Sequence, residues 1–136
     1  MRFHHYMATH IASQITGPRH NYLAIAFAED GVPDGVSLVP LVVELPPQGG
    51  CEHRPLDANR VVSEVLAGVA EGNEEFGVRY VVESIHFFRN DTGPEEVYRS
   101  MAKALVGETK LRKAEEQAAF RNLVARASDR GDTRRK

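Results

Sequence analysis

Residues 77–106, GVRYVVESIHFFRNDTGPEEVYRSMAKALV, carry one strand, a tight corner and one helix, and the rest of the chain is organised around them. Residues 78–88 (VRYVVESIHFF) are β-branched and aromatic almost throughout, which favours a pleated strand. Apolar side chains fall on both parities, with Val78, Tyr80, Val82 and Phe88 on one face and Val81, Ile85 and Phe87 on the other. A strand of that kind is expected at an interior position, covered at least in part on both sides. The corner Asn90-Asp91-Thr92-Gly93-Pro94-Glu95 has the chemistry of a helix start. Thr92 and Glu95 have the spacing of a capping box, Pro94 suits the first turn, and Glu95 and Glu96 complement the positive helix end. Val97, Met101, Ala104 and Leu105 then form an apolar stripe at helical spacing.

Upstream, Asp57 is a suitable N-cap. Behind it Ala58, Val61, Val62, Val65, Leu66 and Val69 mark a second amphipathic helix, which Gly72-Asn73 is expected to end. The first third of the chain has strand character. Residues 2–11 (RFHHYMATHI) alternate as one strand, 17–21 (GPRHN) form a turn, and 22–28 (YLAIAFA) form a second strand. Residues 36–45 (VSLVPLVVEL) make a third, in which Pro40 requires an edge position or a break. After Gly107 the helical pattern resumes as Leu111, Ala114 and Ala118, then Phe120, Leu123, Val124 and Ala127. It either continues the preceding helix or forms a separate one. The predicted fold class is α+β, a two-layer α/β sandwich of order β-β-β-α-β-α with a C-terminal helical extension. Its predicted units are residues 1–106, a helical extension at 107–128 and a disordered basic tail at 129–136.

At 136 residues the chain holds one domain's worth of core. No apolar run reaches the ~20 residues of a membrane span, and the opening MRFHHYMATH is too polar for a secretory core segment. The single cysteine, Cys51, excludes an intramolecular disulfide. Lying beside Glu52, it also lacks the electropositive setting of a nucleophile. These features point to a cytoplasmic protein with no membrane partner. Residues 107–136 hold nine Lys or Arg against five Asp or Glu, and residues 1–106 hold eight against fourteen. The balances of +4 and −6 make up the net charge of −2. Any nucleic-acid contact therefore has to be local or use the tail.

Three passages resemble the fourth domain of elongation factor G and of its ribosome-protection relatives. Residues 84–105, with their Ser100-Met101-Ala102 step, are similar to the family's last strand, turn and helix. Residues 65–71 (VLAGVAE) are similar to its first helix, and residues 14–22 (QITGPRHNY) to the loop at its tip. The resemblance covers roughly residues 3–106 and implies a three-strand, helix, strand, helix order with a left-handed crossover and an RNA-facing ancestry. The loop His of that family has no counterpart between Phe88 and Thr92, so a decoding-site role is not implied. No phosphate-binding loop of the GTPase type occurs.

The turn offers the strongest candidate binding residues, Gly17, Arg19, His20 and Asn21, because a guanidinium, an imidazole and an amide together suit a phosphate or carboxylate. An alternative pocket would use His86 and Tyr6. With residues 2–11 as one strand, His4 and His10 would lie about 20 Å apart at ~3.3 Å per residue, too far to share a metal. No catalytic residue, metal or cofactor is assigned. Asp91, Glu95 and Glu96 are accounted for by helix capping. The expected function is a small binding module for RNA or a ribonucleoprotein, with a homodimer through residues 107–128. The alternatives are a small enzyme using His20 or His86 with Arg19 as an anion clamp, and a structural homodimer.

Overall fold

The computed structural model describes residues 1–6, 9–16, 19–28, 39–46, 55–91 and 93–133, with 14–16, 19 and 129–133 by their backbone alone. Its elements are β1 (Arg2–Tyr6), β2 (Thr9–Thr16), β3 (Arg19–Phe27), β4 (Leu41–Leu45), α1 (Ala58–Phe76), β5 (Val82–Phe88) and α2 (Val97–Thr133). The strands form one sheet in the order β1-β2-β3-β5-β4, antiparallel except for the β4–β5 pair. This is the α+β class the sequence predicts. A mixed sheet is packed on one face by two helices, the second of them long.

Register explains which side chains make the core. Ala12, Leu23 and Phe87 are successive cross-strand partners, as are His10, Ile25 and Ile85. Onto this face α1 lays Val61, Val65 and Val69, and α2 lays Tyr98, Met101, Ala102, Leu105 and Val106. Tyr22, Ala24, Ser84, His86 and Phe88 belong to the opposite face of β3 and β5, so the described helices cover only one side of β5. Its interior position, between β3 and β4, is as expected.

Several boundaries differ from the sequence reading, each for a physical reason. Residues 2–11 are two strands, because only residues 7 and 8 separate β1 from β2 and so short a link leaves the alternation unbroken. His5 and His10 are consequently direct cross-strand partners, and the 20 Å separation argued for His4 and His10 does not apply. β3 begins at Arg19, so Arg19, His20 and Asn21 are strand residues paired with Thr16, Ile15 and Gln14. The expected strand at 36–45 is β4 at 41–45. It starts directly after Pro40 and lies at the sheet edge, while residues 36–38 lie outside the described residues.

The strand expected at 78–88 begins at Val82, because Asn73 captures the preceding segment. The Asn73 side chain accepts from the Tyr80 N–H at 3.1 Å and donates to the Tyr80 carbonyl at 3.0 Å. A register shift between Ala26 and Phe27 then brings Val82 to the core face with Ile85 and Phe87, against simple alternation.

Helix α1 runs past Gly72-Asn73 and ends at Gly77, whose φ of 66° closes it with an N–H bond to the Asn73 carbonyl. Gly72 is a packing glycine instead, since a Cβ there would stand 2.8 Å from the Val106 Cβ. Helix α2 begins at Val97, after a turn in which Val97 and Tyr98 donate to the Pro94 and Glu95 carbonyls. Thr92, the other half of the expected capping box, lies outside the described residues. The helix is continuous for 37 residues, roughly 55 Å, and runs to Thr133, beyond Ser128 where the sequence reading stops it. None of the described helices is long and apolar enough to cross a membrane.

Candidate functional site

The corner between β5 and α2 supplies an aspartate that is almost fully buried, Asp91 at 1% exposure. Its Oδ2 accepts the Tyr22 backbone N–H at 2.7 Å and the Tyr98 hydroxyl at 3.0 Å, and its Oδ1 stands 2.9 Å from His20 Nδ1. β3 and β5 run antiparallel side by side, so the first residues of β3 meet the chain leaving β5. That is why residues 20–22 and 91 meet despite their distance in sequence. Tyr98, one turn into α2, is fully buried and edge-on to Phe87, with ring centroids 6.3 Å apart. Asn21 Nδ2 donates to its hydroxyl at 3.4 Å.

Three donors converging on one carboxyl are the environment of an ionised carboxylate. Burial pushes the Asp91 pKa above its ordinary value, and the donors from Tyr22, His20 and Tyr98 work in the opposite direction. Burial also drives the Tyr98 hydroxyl far upward, so it remains a donor across the accessible pH range. Where Asp91 is ionised it only accepts, so the bond between them places a proton on His20 Nδ1. The His20 side chain is 32% exposed against 2% for Asp91. The pair is thus a solvent-reaching imidazole fixed from behind.

Glu95, 3% exposed, accepts the Asp57 N–H at 3.2 Å, while Asp57 caps α1 through the N–H groups of Asn59 and Arg60. Arg60 also pairs with Glu96 and reaches Glu95 at 3.7 Å. The acidic corner therefore fastens three elements together, with Asp91 holding β3 and Glu95 holding the start of α1. Helix capping of α2 does not account for Asp91.

At the far end of the sheet His10, 8% exposed, receives Arg112 Nη1 on Nδ1 at 3.3 Å. Burial, reinforced by Arg112, Lys113 and His5, lowers its pKa to about 4 against a small opposing effect of Glu116. The ring lies 5.7 Å from Phe27, which is 5.1 Å from Tyr80, and Lys113 Nζ stands 4.7 Å above Tyr80.

Of the predicted binding residues, His20 and Asn21 share the Asp91–Tyr98 cluster and Arg19 opens the same strand, its side chain outside the described ones. Gly17 is also outside the described residues. The structure does not bring His86 and Tyr6 together. Tyr6 shares a cross-strand row with Ser84, three strand spacings or about 14 Å across the sheet, and it is 71% exposed. His86 lies between Ala24 and Val43, with Nδ1 buried and without a hydrogen bond among the described residues. No three metal-ligating side chains converge among the described residues. Asp91 and Tyr98 are the members that sequence reasoning missed, and only the β3–β5 pairing reveals them.

Comparison with protein-family models, with curated proteins and with solved structures gives no match.

Proposed function

We propose that the protein is a small binding module that takes RNA, alone or within a ribonucleoprotein, at the beginning of β3. The observation that carries this reading is the fixing of a partly exposed imidazole, His20, by a buried carboxylate. A ring already held in one orientation loses little freedom when a ligand arrives. Imidazole rings stack on unpaired bases and bond to their edges. Arg19, the preceding residue, supplies a guanidinium suited to phosphate. The order β1-β2-β3-β4-α1-β5-α2 has one strand more before α1 than the order that the translation-factor resemblance implies.

The described part of α2 carries too little excess positive charge to be the evident contact. Residues 107–133 hold six Lys or Arg against five Asp or Glu, so most of the basic excess of the tail sits in Arg134, Arg135 and Lys136. Those three lie outside the described residues. The body is acidic overall, which makes the contact local and the number of phosphates engaged small.

Fluorescence anisotropy with a labelled single-stranded RNA tests the reading. Arg19→Ala is expected to weaken binding about tenfold and to reduce the slope of log affinity against log salt by about one. His20→Ala is expected to weaken it by a similar factor with the salt slope preserved. Equal affinity of the parent and both variants, or no binding by the parent at low salt, overturns the proposal.

A further inference from the structure

The face of α2 that builds the core does not stop where the core stops. Tyr98, Met101, Ala102, Leu105 and Thr109 are fully or almost fully buried against α1 and the sheet. From Thr109 the same face continues through Lys113, Glu116, Phe120, Leu123 and Ala127, in alternating steps of four and three residues. That is the spacing of a coiled-coil seam. Beyond Lys113 this face leaves the body, and Phe120 and Leu123 are each 67% exposed with Val124 at 49%.

We infer that this seam is covered by α2 of a second copy, with the two helices antiparallel about a two-fold axis. Shape and charge both support a second copy. Lys113, Glu116, Gln117, Phe120 and Arg121 line a hollow on the helix surface. Four of them stand at i, i+3, i+4 and i+7, the set that forms the hole for an incoming side chain in knobs-into-holes packing. Phe120 is the exposed knob of matching size. A two-fold axis passing between residues 118 and 119 places each Phe120 over the hollow of the other copy. The same operation sets Glu116 of each helix opposite Arg121 of the other, forming two equivalent ion pairs. Neither residue is in an intrachain ion pair among the described residues. A parallel arrangement would instead oppose Arg121 to Arg121 and Lys113 to Lys113, which is repulsive. The antiparallel run also carries Val124 and Ala127 back along the partner helix toward its Lys110, extending the contact to the edge of the body. Contacts of this extent lie at the small end of specific interfaces, so the dimer is reversible and dependent on concentration.

Sedimentation velocity on the full chain over a concentration series, with circular dichroism on the same samples, tests the inference. The parent chain is expected to pass from monomer to dimer. Phe120→Glu is expected to remain monomeric with its helix content and melting temperature retained, since Phe120 makes no part of the core. Glu116→Arg and Arg121→Glu should each weaken the dimer at least tenfold, and the double exchange should restore it. A parent that stays monomeric at its highest soluble concentration overturns the inference. A dimer that survives Phe120→Glu, or a double exchange that fails to restore it, overturns this seam and register. A monomeric parent whose Phe120→Glu variant alone loses RNA affinity would assign the stripe to the RNA instead.

Discussion

Asp91, itself almost fully buried, receives three donors. Asp91→Ala leaves the Tyr22 N–H and the Tyr98 hydroxyl without their acceptor, and is expected to cost about 2–4 kcal/mol in urea unfolding. His20→Ala, at a side chain one-third exposed, should cost less than about 1 kcal/mol in the same measurement. A loss at His20 as large as that at Asp91 would show that the cluster serves stability alone. His10 gives a pH prediction whose sign follows from its lowered pKa of about 4. Below the ordinary value of 6.5 the unfolded chain takes up a proton that the folded His10 refuses. Stability is therefore fully present above about pH 6.5, falls as the pH drops toward 4, and loses nothing further from this group below that. The full span amounts to at most about 3 kcal/mol. His10→Gln should flatten the corresponding part of the stability profile, and an unchanged profile would contradict the buried neutral ring. Arg19, His20 and Asn21 were legible as a polar cluster by composition. Asp91 and Tyr98 were not, because His20 and Asp91 are 71 residues apart and Asn21 and Tyr98 are 77 apart. Local spacing also offered helix capping as a sufficient account of the aspartate.

Among the elements, the two helices were the most legible because apolar periodicity marks both, and a cap marks the start of α1. The Asp57 cap stands as expected, the α1 stripe stands except at Leu66, which is exposed, and the corner after β5 leads directly into α2. Glycine misled at the end of α1. Gly72 reads as a stop signal, yet it sits where α1 and α2 come closest, and only the packed pair reveals that. Gly72→Ala should destabilise by about 1–3 kcal/mol, because Val106 has to move to admit the new methyl. Gly77→Ala should cost about 1 kcal/mol through its left-handed backbone, with nothing nearby for the methyl to meet. Denaturant midpoints separate the two mechanisms, since Val106→Gly, which removes the Cβ that the new methyl at position 72 would meet, should cost less in the Gly72→Ala background than in the parent and the same in the Gly77→Ala background. The amino-terminal strands were less legible. A two-residue link without Gly, Pro, Asn or Asp carries none of the usual turn chemistry, so β1 and β2 read as one alternating run.

For the whole molecule, the body and the outer half of α2 are energetically distinct. Side chains 113–128 are exposed, so a chain ending after Gln117 should keep its cooperative melt, with a stability change below about 1 kcal/mol. A collapse of the melt would mean that the outer helix helps to hold the sheet. Fold class follows from pattern because it depends on burial, which hydrophobic periodicity reports directly. The proposed function rests on a few polar side chains brought together across the sheet, which periodicity does not report. Backbone and histidine-ring chemical shifts of the full-length protein, followed during titration with a single-stranded RNA, test the central claim most directly. The account predicts shifts concentrated at Arg19, His20, Asn21 and Asp91, saturating together. Shifts absent there, or confined to the outer half of α2, would contradict it.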